Sequence, residues 1–379
     1  MRIGIVCYPT FGGSGVLATE LGIGLAQKGH QIHFISYSRP ARLSSFYKDI
    51  FFHEVNSAQY PLFEHPPYDS ALTSKIVDVA LHENLDVLHV HYAIPHAAVA
   101  FMAKEILKTK GKYLPVVTTL HGTDITLIGH DKSMASVVEF SINMSDVVTT
   151  VSQSLKQQTI EYFNTKNNID VIYNFIDLER FKRKENKDFK NDLAPNGEKI
   201  IAHTSNFRKV KRVEDAIQAF KIIRESIDAK LILVGDGPER LRCQSMCRSL
   251  GVCNDIRFLG KQDAVEQILS TADLFLLPSE KESFGLAALE ALACGVPVVS
   301  TNAGGLPEVI EDGVTGFMIN VGDYKAMATK SLLILEDENL LSAFRTNARN
   351  KAIQFSKSKI VPQYEHLYER CTKLSNQLS

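Results

Sequence analysis

Short apolar runs alternate with helical patterns down the whole chain, and the alternation starts twice. "IGIVC" (3–7), "QIHFISY" (31–37), "DVLHVH" (86–91) and "PVVTTL" (115–120) each read as a strand, with amphipathic or small-residue segments between them. After Ser152 the pattern resumes with "IDVIYN" (169–174), crosses a charged stretch at 179–199, and continues through "IIAHTS", "KLILVGDG", "DIRFLG", "DLFLLPS", "VPVVST" and "GFMIN". This order builds parallel sheets with crossover helices. Two such series in 379 residues, more than one core usually serves, predict an α/β protein of two doubly wound Rossmann-like units.

The first unit is expected over 1–164 and the second over 165–356. The stretch 179–199, which holds Pro195, Asn196, Gly197 and many charges, reads as a surface loop or linker. The tail, 357–379, places Tyr364, Leu367, Tyr368 and Cys371 at i, i+3, i+4 and i+7, a stripe expected to dock back on the first unit. Ligands of such sheets bind at the carboxyl ends of the strands, so two units facing across a cleft would hold their chemistry in the strand-to-helix loops.

With 42 basic and 43 acidic residues and no Lys/Arg-rich run, the chain lacks the footprint of a nucleic-acid binder. "MRIGIVCYPT" enters a strand without a leader pattern, and no run of 18 apolar residues occurs, so a soluble cytoplasmic protein without stable membrane association is expected. The segment "GVLATELGIGLAQKG" carries one cation, Lys28, too few for a membrane-facing patch. Cys7, Cys243, Cys247, Cys253, Cys294 and Cys371 match no zinc framework and read as structural thiols. Oligomeric state stays open, a homo-oligomer included.

In the first unit, "CYPTFGGSG" puts Gly12, Gly13, Ser14 and Gly15 between a strand and a helix, which makes either an anion site at a helix N-terminus or a tight turn. It is no G-x-G-x-x-G fingerprint, and no acidic residue ends the second strand, so a dinucleotide cofactor is disfavoured. His89 and His91 of "HVHYAIPHA" share a strand face, as packed histidines or, less favoured, as metal ligands; Tyr92 ends that strand. "TTLHGTDIT" ends a strand with His121, after which Thr123 and Asp124 make either an N-cap or a ligand contact.

In the second unit, Arg208, Lys209, Lys211 and Arg212 precede the helix "VEDAIQAF", where cations oppose the helix dipole; a phosphate or a solvated face would accommodate them. "LVGDGPE" is turn chemistry first. "ESFGLAALEALACG" holds Glu282 and Glu290, with Ser283 the expected N-cap between them. Eight positions of continuous helix amount to about 80° of rotation, so spacing alone leaves two ligand contacts and two unrelated carboxylates equally open. "STNAGGLPEVI" adds Gly304 and Gly305 at another strand end.

Together these residues resemble the retaining glycosyltransferases of family 4, which have the GT-B fold. The E-x7-E motif of that family matches Glu282 and Glu290, its GGxPE element matches Gly304, Gly305, Pro307 and Glu308, and its first glycine-rich loop matches Gly12 and Gly13. "PTFGGSGVLATELG", "HVHYAIPHA", "TTLHGTDIT" and "TSNFRKVKR" are further similar to the subfamily that moves N-acetylglucosamine onto L-malate in bacillithiol biosynthesis. One departure stands out: where relatives carry Arg in the G-R-L-x-x-x-K element, this chain has Asn206, with Arg208 two residues later.

The resemblance implies UDP-N-acetylglucosamine as donor, bound mainly by the second unit, L-malate as acceptor on the first, and no metal or other cofactor. Arg208 and Lys211 would pair with the diphosphate, Glu290 with the ribose and Glu282 with sugar hydroxyls. Asn206, Gly13 and the turn of Ser283, Phe284, Gly285 and Leu286 would complete the donor contacts, with His121 supporting the sugar. Ser14, Tyr92 and Thr119 are the expected acceptor contacts.

Overall fold

The computed structural model describes residues 1–10, 12–43, 46–56, 67–128, 131–184 and 186–375. It divides into two compact units, 1–174 with 357–379, and 175–356. The last four residues of the expected tail, 376–379, lie outside the described residues.

The first unit carries β1 (Arg2–Val6), β2 (Gln31–Ser36), β3 (Ile50–Glu54), β4 (Val87–His91), β5 (Val116–Leu120), β6 (Val147–Thr150) and β7 (Ile169–Val171) in the order β3-β2-β1-β4-β5-β6-β7. Every pairing is parallel. β4 and β5 are buried along their whole length, as strands covered on both faces must be. The second unit carries β8 (Lys199–Thr204), β9 (Ala229–Val234), β10 (Ile256–Gly260), β11 (Leu274–Leu277), β12 (Val298–Thr301) and β13 (Gly316–Ile319) in the order β10-β9-β8-β11-β12-β13, again all parallel.

In each sheet the order reverses beside the first strand, between β1 and β4 and between β8 and β11. At such a switch point adjacent loops leave in opposite directions and open a crevice.

Two expectations are corrected, and two strands are added to those expected. β7, read as the opening of the second unit, pairs with β6, so the boundary falls after Asn174 rather than at 164/165. The stretch 179–199 holds a helix, Lys187–Leu193, capped by the Asn186 side chain, and its earlier part is clamped by Arg349, whose guanidinium donates to the carbonyls of Leu178, Phe181 and Ala293. β3 and β6 were not foreseen: β3 is an edge strand only partly buried, and β6 is four residues long and half threonine, so neither shows a sustained apolar run.

The helix Gly13–Ala26 is apolar around most of its circumference because it is covered twice. Gly22 lies against Phe34 of β2, and Gly24 against Lys357 and Val361 of the helix Lys357–Ser375. In that last helix Tyr364, Leu367, Tyr368 and Cys371 are all buried, and the Tyr368 hydroxyl reaches His89 at 2.7 Å. Among the described residues no helix is long and apolar enough to cross a membrane.

Candidate active site

The loops that leave β8, β11 and β12 are pinned to one another at the second switch point. The Glu280 backbone N–H donates to the Val210 carbonyl at 2.8 Å, and the Gly305 N–H donates to the Glu282 carbonyl at 2.9 Å. Within this frame Lys211 Nζ donates to Glu282 Oε1 at 2.6 Å, and Ser279 Oγ donates to the same oxygen at 2.9 Å. Both charged side chains are mostly buried, 20% and 13% exposed. Glu282 therefore holds Lys211 at a fixed place, and Ser279, which the sequence reading did not single out, holds Glu282.

The other three cations divide. Arg212, in left-handed backbone at φ +46°, turns its guanidinium onto Asp215 at 2.6 Å and so answers the helix dipole question internally. Arg208 and Lys209 are exposed on the same loop, as is Asn206. The glycines of "GDGPE" support this loop: a Cβ at Gly237 would lie 2.0 Å from the Asn206 carbonyl oxygen, and the Glu239 N–H bonds the Phe207 carbonyl at 2.9 Å. What read as turn chemistry is the brace of the basic loop.

Ser283 is not the N-cap of the glutamate helix. That helix runs Leu286–Ala293 and starts from Gly285 at φ +98°, so Ser283, Phe284 and Gly285 form the turn ahead of it. The Phe284 ring is buried against Phe355, which leaves its backbone as the part able to meet a ligand. Glu290 is half-buried, more than a turn into the helix and flanked by buried Leu289 and Ala291, whereas Glu282 sits in the preceding loop. The two carboxylates therefore do not share a helix face.

In the first unit, Ser14 Oγ and Tyr92 Oη are 2.6 Å apart at the β1/β4 switch point. Tyr92 is held at φ +83°, strained backbone for a bulky residue and a conformation that collects at functional sites. Gly13 is exposed and begins its helix, whose N-cap, Gly12, has no side chain to bond the first N–H groups. Thr119 does not belong to an acceptor pocket: its hydroxyl is fully buried and bonded to His89 Nε2 and Thr149 Oγ1, each at 2.7 Å. With its other nitrogen on Tyr368, His89 is a packed histidine rather than a metal ligand.

His121 is placed by two neighbours. Asp124, fully buried, accepts from the Gly122 N–H at 2.9 Å and from the Ala93 N–H at 3.0 Å, tying together the loops after β5 and β4; burial raises its pKa. It is a tie between loops, not a helix cap. His91 Nδ1 and His121 Nε2 lie 2.8 Å apart, while His91 Nε2 is buried without a partner among the described residues. An orphaned buried N–H is rarer than an orphaned acceptor, so the His91 proton sits on Nδ1 and points at His121. The proton of His121 is then on its own Nδ1, which makes this residue a neutral N–H donor.

Burial lowers the pKa of His89 and of His121 to about 3 and that of His96 to about 4. A histidine with a folded pKa below its unfolded value of about 6.5 leaves the native state short of protons, so its contribution is present above pH 6.5 and lost as pH falls. Below that point each imidazole should cost about 1.4 kcal/mol of stability per pH unit until its folded pKa is reached. The thermal midpoint is expected to hold steady from pH 8 to 7 and to fall steeply from 6 to 4, with a shallower fall in His96→Asn. An equally steep fall in that variant would contradict this account.

Two family descriptions match the chain, glycosyl transferases group 1 over residues 184–351 and Glycosyltransferase Family 4 over residues 11–180. At 50% identity over 370 residues, 97% of this chain and 96% of the relative, the chain is similar to N-acetyl-alpha-D-glucosaminyl L-malate synthase of Bacillus anthracis. Among solved structures, Anabaena HepE in complex with UDP and glucose has a TM-score of 0.82 at 22% identity, with 97% of this chain and 99% of that chain covered. Sucrose-phosphate synthase from Thermosynechococcus elongatus has a TM-score of 0.81 at 19% identity, with 98% of each chain covered. These two establish the fold as GT-B. With half its residues shared along almost the full length of a curated relative and both family descriptions matched, the chain belongs to the family-4 glycosyltransferases.

Proposed function

We propose that the chain transfers N-acetylglucosamine from UDP-N-acetylglucosamine to the hydroxyl of L-malate, with retention at the anomeric carbon. The observation that carries this reading is the 50% identity with a relative bearing that activity in its name, which runs through both units. The residues fit the chemistry. The bond from C1 to the diphosphate oxygen breaks, the malate oxygen bonds to C1 on the same face, and the malate proton passes to the departing diphosphate, which leaves as UDP.

Charge builds on the diphosphate as it departs, and a preorganised cation is the efficient answer to it. Lys211, fixed by Glu282, takes that role, with Arg208 from the same loop. Glu282 keeps acceptor capacity for sugar hydroxyls and Glu290 for the ribose, while neutral His121 offers an N–H without competing for the proton. Gly13, Ser14 and Tyr92 supply donors for the malate carboxylates. The reading includes no metal cofactor, since cationic side chains meet the phosphates, and a cytoplasmic reaction.

The test is UDP release by purified protein and UDP-N-acetylglucosamine across a panel of hydroxy acids. L-malate should be preferred at least tenfold in kcat/KM. No release on adding L-malate would refute the malate reading, and release with a lipid head group or glycan would assign another acceptor.

A further inference from the structure

At the outer edge of the first sheet, His33 of β2 and His53 of β3 meet with Nδ1 and Nε2 3.0 Å apart and rings inclined by 20°. The register explains the meeting. His33 pairs with Phe51 and Ile35 with His53, so all four side chains share a face, with His33 stacked on Phe51. The helix Tyr68–His82 packs over this face, with Val79 and Ala80 in one core cluster with Ile35, and its C-terminal end delivers Glu83. One ligand atom from each of His33, His53 and Glu83 lies within 4.8 Å of the other two.

Nothing in sugar transfer uses these groups. His33 is 1% exposed, and its Nδ1 is aimed at His53 Nε2 rather than at a backbone group. Burial lowers the pKa of both histidines, that of His33 to about 4, so both rings are neutral and hold lone pairs at neutral pH. Two imidazoles and a carboxylate suit a divalent transition metal, and zinc–nitrogen bonds of about 2.0–2.1 Å set ligand nitrogens about 3.3 Å apart around a tetrahedral centre. The histidine pair needs to open by only a few tenths of an ångström, and the Glu83 carboxylate to swing in from the helix end.

We propose that His33, His53 and Glu83 form a binding site for a divalent transition-metal cation, zinc fitting best, with water in the fourth position. The bound ion joins the edge strand β3 to β2 and to the helix above them.

Cobalt(II) added to the metal-free chain at pH 7.5 is expected to bind one equivalent, to give the visible bands of a tetrahedral centre, to be displaced by zinc(II), and to raise the thermal midpoint. His53→Gln and Glu83→Gln, which spare the buried His33, should each weaken cobalt binding at least tenfold and leave sugar transfer in chelator within twofold. Absence of both bands and midpoint shift at millimolar cobalt would overturn the site, as would unchanged binding in both variants. Because the probe is the metal alone, the outcome does not depend on which acceptor the enzyme uses.

Discussion

Lys211→Ala is expected to lower kcat for sugar transfer by about 10²–10³-fold, the usual cost of removing one preorganised group from developing charge, with both units still folded. The side chain is 20% exposed, so the truncation leaves a space water can reach rather than a cavity in a core. Glu282 keeps Ser279 as a donor. Two effects are combined in the loss: the cation at the diphosphate, and the partner that orients Glu282. The cycle of Lys211→Ala, Glu282→Gln and the double variant separates them, because groups in one ion pair act as a unit and their losses do not add. The double variant should be only slightly worse than Lys211→Ala. Steady-state UDP release with circular dichroism as the folding control makes the measurement. A kcat within threefold of wild type would remove Lys211 from the chemistry, and strictly additive losses would mean that the 2.6 Å contact has no part in turnover.

Much of this site was legible because strand ends are marked by sharp changes in composition. Lys211, Glu282, Gly304 and Tyr92 all follow apolar runs, and the rule that ligands bind beyond the carboxyl ends of parallel strands selects them without knowledge of the pairing order. What was illegible depended on partners distant in sequence. Thr119 lies on the same face as His121 but two residues deeper, inside the strand, where His89 and Thr149 take up its hydroxyl. Ser283 has the composition of an N-cap, but three loops meeting above it demand left-handed backbone, and Gly285 supplies it. Arg212 is indistinguishable from Lys211 by position until Asp215, one turn ahead, claims it. β7 was misassigned for the same reason: a three-residue strand carries no mark of the sheet it will join, and only its pairing with β6 decides.

Gly304→Ala is expected to damage both stability and turnover, and it tests whether the GG element serves the glutamate loop rather than a ligand. Gly304 has φ +57°, and a Cβ there would lie 1.9 Å from the carbonyl oxygen of Glu282, an overlap with backbone that no rotamer relieves. Left-handed backbone at alanine and the forced parting of two loops together cost about 2–4 kcal/mol. For a unit of this size that is a fall of about 5–10 °C in its thermal midpoint. The parting acts on the carbonyl of Glu282 itself, which also accepts the Gly305 N–H at 2.9 Å, so the carboxylate and the Lys211 it holds must move with it. Displacement by an ångström at a reacting centre costs on the order of 10²-fold, and kcat/KM should fall by that much at temperatures where the variant is still folded. The control is Gly313→Ala, at φ +74° with nothing within 4 Å of its would-be Cβ: it should show the backbone strain, about 1 kcal/mol, and full activity. Equal loss of turnover in both variants would mean that left-handed strain alone disables the unit; a stable, active Gly304→Ala would mean that the loops can separate without moving Glu282.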